Sequence, residues 1–276
     1  MKRSKKRILG GIFLGFITLF LYSPILYTII FSFNESKSLT KFSGFSLRWY
    51  EKMFNNSTMM ESLFYTIACA LIATLVSTVV GTVTAIGLSK SRKILKNTVE
   101  QINQLPIMNP EIVTAIGLLM LFSAFHISKG FTTMVLAHIM FCIPYVILSI
   151  MPKLRSLNPN LAEAAMDLGA TPFEALIKVI VPECLPGIIS GALIAFTMSF
   201  DDFVISYFVT GNGVSNISIL VYTESRRVNP SINALSTLIV AIITITLIFA
   251  NILPQVIAKN KQKKLKSIID ENKIVN

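Results

Sequence analysis

Three carboxylates lie in or at the edge of strongly apolar runs. Asp201 and Asp202 follow Met198–Ser199–Phe200 and precede FVISYFVTG, and Glu111 opens the run IVTAIGLLMLF. An ionised acid at the centre of a bilayer costs about 2.5–3.5 kcal/mol, so each should face protein or a water-filled cavity. Such groups can replace the hydration of a cation while binding it weakly enough for release. Tyr207 and Tyr145 offer ring faces for the same purpose, or pack among helices. Neighbouring side chains on a helix diverge by roughly 100°. Hence one aspartate lines a cavity while the other meets a neighbouring helix or subunit, or both cap and pair at a helix break. Glu111 also has two readings. Asn109, Pro110 and Glu111 fit the cap, first and second positions of a helix, where the macrodipole favours a carboxylate by about 0.3–1 kcal/mol. A helix restarting at membrane depth also brings polar groups to a central pathway.

Other chemistries find little support. The two histidines, His126 and His138, form no H-E-x-x-H pair, and no G-x-S-x-G surrounds a serine. His138 is expected to pack among helices. Cys69, Cys142 and Cys184 lie in or beside apolar spans without metal-ligand spacing and read as packing residues. No catalytic residue and no metal site is assigned. No G-x-x-x-x-G-K-[ST] loop is present to cradle a nucleotide phosphate, so nucleotide chemistry would belong to a partner chain.

The elements that must position these residues are membrane helices. Of 276 residues, 53% are hydrophobic and 14% charged, and the mean hydropathy is +0.67, values of a polytopic membrane protein. Six runs reach the roughly 20 residues needed to cross a bilayer. They are Ile8–Phe33, Ser62–Leu88, Leu105–Phe125, Phe131–Met151, Leu185–Val209 and Ile232–Ile257. The first exceeds a signal-peptide core and lacks a small-residue cleavage site, so it is expected to remain as an anchored helix. With the N-terminus inside, 18 of the 25 Lys and Arg residues fall on inner tails and loops and 7 on outer loops, which predicts cytoplasmic N- and C-termini. The net charge of +11 is thereby mostly inner-face lysine, spread without aromatic interleaving, and nucleic acid is not an expected partner. The chain divides into a tail, first helix and outer loop (1–61), a membrane core (62–257) and a lysine-rich tail (258–276) expected at the anionic inner leaflet, so membrane lipid is a partner. In the outer loop Trp49, Tyr50 and Phe54 form an aromatic cluster suited to a membrane interface or a partner contact.

Between the fourth and fifth spans lies a polar segment, 158–183, punctuated as two short helices. Asn158 caps the first with Pro159 at its first position, and Gly169 ends it in a left-handed conformation. Thr171, Pro172 and Glu174 then spell a capping box for the second. This segment resembles the cytoplasmic coupling loop of importer-type ABC transporter permeases, whose pattern is EAA, three residues, Gly, nine residues, I-x-L-P. Glu163, Ala164, Ala165, Gly169 and Pro182 match in register, while Val179 and Val181 replace the Ile and Leu. The resemblance implies an all-α, six-helix type I permease whose first short loop helix docks in a groove of an ATPase subunit.

Further segments look like the spermidine/putrescine transport permeases over most of the chain, most closely the second of that system's two permease subunits. They are Ser32–Asn34, Gly44–Tyr50, Asn109–Ile116, His138–Tyr145 and Ser199–Gly211. The resemblance implies a bacterial cytoplasmic-membrane transport subunit, not an enzyme, importing polyamines. Its partners would be a second, distinct permease, an ATPase dimer and an extracellular or periplasmic solute-binding protein. This chain would bind no cofactor, and ATP and Mg would be used by the ATPase. Glu163, Ala164, Ala165, Gly169 and Pro182 would bear on coupling, and Asp201, Asp202, Glu111 and Tyr207 on the substrate pathway. The rival readings are another solute (an amino acid, a thiamine-like cation or a phosphonate), a passive cation channel or an intramembrane enzyme. A phosphate-bearing ligand sits badly beside Asp201 and Asp202.

Overall fold

The computed structural model describes residues 2–224 and 229–245. It forms two compact units, Ser57–Thr223 and the pair Met1–Asn56 with Glu224–Asn276. Among the described residues the chain is helical, with one isolated antiparallel bridge between Asn34 and Phe45.

In the unit containing the N-terminus, α1 (Lys2–Ser32) carries the apolar stretch Gly10–Ser32 and leads into a loop and α2 (Arg48–Phe54). Asn34 organises that loop. Its side-chain amide donates to the carbonyls of Ser38 and Lys41 and accepts from Ser43, and its own carbonyl accepts from the Trp49 indole at 2.6 Å. The expected aromatic cluster is therefore divided. Trp49 is buried, the Tyr50 hydroxyl meets Ser32 Oγ at 2.8 Å, and only Phe54 is exposed, because the indole N–H is drawn inward to a buried acceptor.

The second unit holds α3 (Ser57–Lys90), α4 (Lys93–Met108), α5 (Glu111–Ala124), α6 (Phe131–Ser156), α7 (Leu161–Asp167), α8 (Pro172–Ala175), α9 (Val181–Asp201), α10 (Val204–Val209) and α11 (Ile217–Glu224). Its core is the three helices α3, α6 and α9, each packed on the other two. A stripe of small residues on α3, namely Ala70, Ala73, Ser77, Gly81 and Ala85, is buried, the pattern by which membrane helices approach closely. A Cβ at Gly81 would stand 2.6 Å from Val146 Cγ1, and one at Gly191 of α9 would stand 3.2 Å from Val146 Cα. Val146 is thus gripped from both sides. The opposite faces stay apolar and open, with Leu75 and Val83 on α3 and Val113 and Met120 on α5 more than half exposed. Contiguous apolar surface of this kind suits lipid or a partner subunit rather than water.

Four helices are long and apolar enough to cross a membrane: Gly10–Ser32, Ser57–Lys90, Phe131–Ser156 and the continuous run Pro172–Asp201. Two expected spans differ in form. The run Leu105–Phe125 is not one helix, since α4 and α5 meet at 103° and count as a fifth span only together. Asn109, forced toward extended geometry by the following proline, has φ −75° and ψ 142°, and Pro110 has ψ 132°. The run Leu185–Val209 begins earlier and stops sooner than expected. Its helix continues unbroken from α8 through a π-helical turn, Leu176–Ile180, and ends at Asp201. Pro182 removes a donor and crowds the carbonyl four residues back, Lys178, which lies in that widened turn. Of the sixth expected run, Ile232–Ile257, the helix α12 (Ser231–Ile245) is seen. Residues 246–257 and the lysine-rich tail 258–276 lie outside the described residues.

Candidate functional site

The two interrupted runs lie side by side. α10 packs on α5 and α6, which sets the interruption after Asp201 beside the start of α5. Between them is a cavity of about 340 Å³ whose walls include Pro106, Glu111, Tyr145, Asp201 and Asp202. Glu111 occupies the first position of α5, with Pro110 at the cap, so the helix starts one residue later than the expected frame of Asn109 as cap, Pro110 first and Glu111 second. The proline's ψ of 132° keeps it outside the helix. Asp201 ends α9 and is exposed, as is Glu111, so two carboxylates and the half-buried Tyr145 border one space whose other walls are largely apolar. Tyr207 is not brought to it. That ring is 51% exposed and lies against Phe203 and Tyr222, at 5.5 and 6.2 Å between centroids.

Asp202 has a different situation from its neighbour. It is 9% exposed and extended, with φ −64° and ψ 125°. Its Oδ2 accepts from the backbone N–H of Ser206 at 2.7 Å and from the Ser206 hydroxyl at 2.8 Å, and its Oδ1 accepts from the Ile205 N–H at 3.3 Å. The carboxylate therefore satisfies the first free donors of α10, as a helix start in an apolar medium demands. His138 stands 3.4 Å from the same Oδ2. Its Nε2 meets Ser206 Oγ at 2.9 Å and its Nδ1 meets Ser199 Oγ at 2.7 Å. The Asn216 amide donates to Ser206 Oγ at 2.9 Å and to the Asp202 carbonyl at 2.8 Å. With Ser206 donating to Asp202, its oxygen has two lone pairs left for Asn216 and for the N–H of His138.

A histidine among two serines and an aspartate invites comparison with a hydrolytic triad. Here Ser206 and Asp202 share one ring nitrogen instead of flanking the ring, and Ser199, Ser206 and His138 are each no more than 1% exposed. The group closes a helix break and admits no substrate. Sequence reading placed His138 among helices but missed Ser199 and Ser206 as its partners, and Asn216 as a donor to Ser206 and Asp202. Their signal was small polar side chains in apolar runs, which a membrane interior obliges to find partners. Among the described residues no group of three or more His, Cys, Asp or Glu side chains is arranged to hold a metal ion.

At the other end of α9, the loop 158–183 has a defined shape. Asn160, not Asn158, holds the N-cap position of α7 and makes no side-chain capping bond; the Asn158 Oδ1 instead accepts from the Asn160 N–H at 3.0 Å in a turn that delays the helix by two residues. Glu163, Ala164 and Ala165 form its body, with Glu163 exposed. Gly169 has φ +89°, and the N–H groups of Gly169 and Ala170 return to the carbonyls of Met166 and Ala165, the doubled closure of a Schellman end. Thr171 and Glu174 form the expected capping box, and Lys178 holds Glu174 at 2.7 Å. Pro182 takes the second position of α9. Leu168 and Phe173 project from this loop, 90% and 71% exposed.

Residues 77–267 match the family model for binding-protein-dependent transport system inner membrane components. The chain is 37% identical over 235 residues to the spermidine/putrescine transport system permease protein PotC of Haemophilus influenzae, covering 85% of this chain and 91% of that one. It is 39% identical over 240 residues to the putrescine transport system permease protein PotI of Escherichia coli, covering 84% and 85%. Its fold is similar to that of a chain in the crystal structure of a bacterial ABC transporter involved in import of the acidic polysaccharide alginate. The TM-score there is 0.74 at 15% identity, over 92% of this chain and 97% of the other. Interrupted spans around an acid-lined cavity, a capped loop in the EAA register and a family match over most of its length lead to one assignment: the chain belongs to the family of binding-protein-dependent transport system inner membrane components.

Proposed function

We propose that this chain is a permease subunit of an ATP-driven importer that moves polyamines across the bacterial cytoplasmic membrane. The observation that carries the substrate class is the pairing of Asp201 and Glu111 on one 340 Å³ cavity, with Tyr145 beside them. Ammonium groups of a spermidine- or putrescine-like solute would find carboxylates and a ring face there in place of water. The names of the relatives agree with that chemistry. Asp202 contributes by fixing the break that presents Asp201. Tyr207 would act from outside this cavity, on an adjoining stretch of the path.

The chain would work with a second, similar permease, an ATPase dimer and a solute-binding protein, with both termini in the cytoplasm. ATP and Mg would be bound by the ATPase and not by this chain. The exposed Leu168 and Phe173, on a loop held rigid by its caps, suit docking to that ATPase. Glu163, Ala164, Ala165, Gly169 and Pro182 would set the loop's geometry, and closure of the ATPases would switch the pathway between outward and inward access.

Uptake of labelled spermidine and putrescine into vesicles carrying this chain with its partners tests the proposal. ATP-dependent uptake suppressed by unlabelled polyamine is expected. Loss of uptake with ATPase activity responsive to another solute would remove the polyamine and keep the permease, and flux through this chain alone would favour a passive channel.

A further inference from the structure

A second cavity, of about 740 Å³, opens where α3 and α6 end and α4, α7 and α8 begin or pass. Both α3 and α6 are long enough to span a bilayer, and both reach this cavity with residues near their C-terminal ends, Lys90 and Leu154–Arg155. The cavity therefore lies at the level of the lipid headgroups on the loop side of the membrane. Its wall toward the bundle is apolar, formed by side chains such as Ile86, Leu154 and Ile180. Its cations are Lys90, Lys96 and Arg155, and no Asp or Glu lines it.

The three cations are not equivalent. Arg155 is engaged with Glu100, both carboxylate oxygens lying 2.8 Å from Nη2. Lys90 and Lys96 have no ion-pair partner among the described residues, and Lys96 is half-buried against the cavity. The C-terminal ends of α3 and α6 bring partial negative charge, which these cations and Lys153 in the last turn of α6 oppose. Lys153 itself is paired with Glu183 at 3.6 Å. Flanking Lys96 on α4, Ile94 and Leu95 are exposed apolar side chains, a surface that suits lipid.

We propose that this crevice holds the headgroup of an anionic phospholipid, with Lys90 and Lys96 on the phosphate and an acyl chain along the apolar wall, directly behind the loop helices α7 and α8. An apolar wall under two lysines without an ion-pair partner among the described residues fits an amphiphile with a negative head and does not fit a free hydrophilic anion. The crevice is independent of the acid-lined cavity. That it faces the inner leaflet rests on the orientation proposed above, and the test does not depend on leaflet.

The complete transporter, reconstituted in nanodiscs of equal phosphatidylglycerol and phosphatidylcholine and then released, is examined for retained lipid by native mass spectrometry. The wild type should retain phosphatidylglycerol in preference, and the double change Lys90→Gln/Lys96→Gln should lower the retained ratio by roughly tenfold or more. Arg92→Gln/Lys93→Gln removes the same charge in the adjoining turn but outside the cavity lining, and should leave the ratio within about twofold, through screening. Ser89→Trp, which narrows the crevice without changing charge, should also lower retention. No preference in the wild type would overturn the proposal. So would an equal fall in both double variants, which marks diffuse attraction to the leaflet, or displacement of the lipid by millimolar inorganic phosphate, which marks a small-anion site. Retention unchanged by Lys90→Gln/Lys96→Gln would overturn it as well.

Discussion

At Asn109–Pro110 and at Asp202–Phe203 the chain leaves helical geometry within an apolar run, and the two departures rest on different physics. The first is local. A proline fixes its own φ and pushes the preceding residue extended, no side chain caps the helix that follows, and the residues are exposed. The second contains no proline or glycine. There the extended residue is held by distant side chains, His138 from α6 and Asn216 from the segment before α11, with Ser206 between them. A break written into the backbone needs no neighbours, whereas a break made by tertiary contacts is only as firm as its least satisfied member. The two meet at one cavity, so each presents a carboxylate, Glu111 and Asp201, from a differently fixed support.

The largest effect is expected for Asp202→Ala. It uncaps α10 and strands the buried donors of Ser206 and His138, and should cost about 3–5 kcal/mol, read as a lowered Tm in detergent. Gly169→Val comes next. A branched residue at φ +89° costs about 1–2 kcal/mol, confined to the loop. Membrane insertion should persist while solute-stimulated ATPase activity is largely lost. If coupled transport survived, the coupling role of the loop would be wrong. Asp201→Asn should leave Tm unchanged and lower polyamine uptake by about tenfold, in proportion to losing one charged hydrogen-bonding group. An unchanged uptake would remove Asp201 from the path. The smallest effect is expected for Pro110→Ala, less than about 1 kcal/mol, because the exposed turn keeps other routes to the same bend. A loss as large as that of Asp202→Ala would erase the distinction between the breaks.

What was legible in the sequence follows the same division. The capping box at Thr171 and Glu174 and the left-handed end at Gly169 depend on residues within one turn, and both stand as expected. Asn158 misled because it closes a turn onto Asn160 instead of capping α7 directly. The bend at Pro110 carried its own signal, yet the apolar run across it favoured a single span. The partners of His138 were out of reach, since Ser199 and Ser206 lie 61 and 68 positions from it and nothing in their spacing announces the contacts. The continuity of α8 with α9 was hidden by Pro182, which sequence rules treat as a boundary but which a π-helical turn accommodates.

That continuity makes Pro172–Asp201 a single rod of about 45 Å, by a rise of 1.5 Å per residue. One end is the loop that carries Phe173, the other is Asp201, and the closest approach to α6, at Gly187 and Gly191, falls near the middle. Such a rod would serve as a lever with its fulcrum on α6. A tilt of roughly 10° about that point would carry each end about 4 Å in opposite directions. A push on the loop would then reach the acid at the far end as displacement, without any chain of rearranged contacts between them.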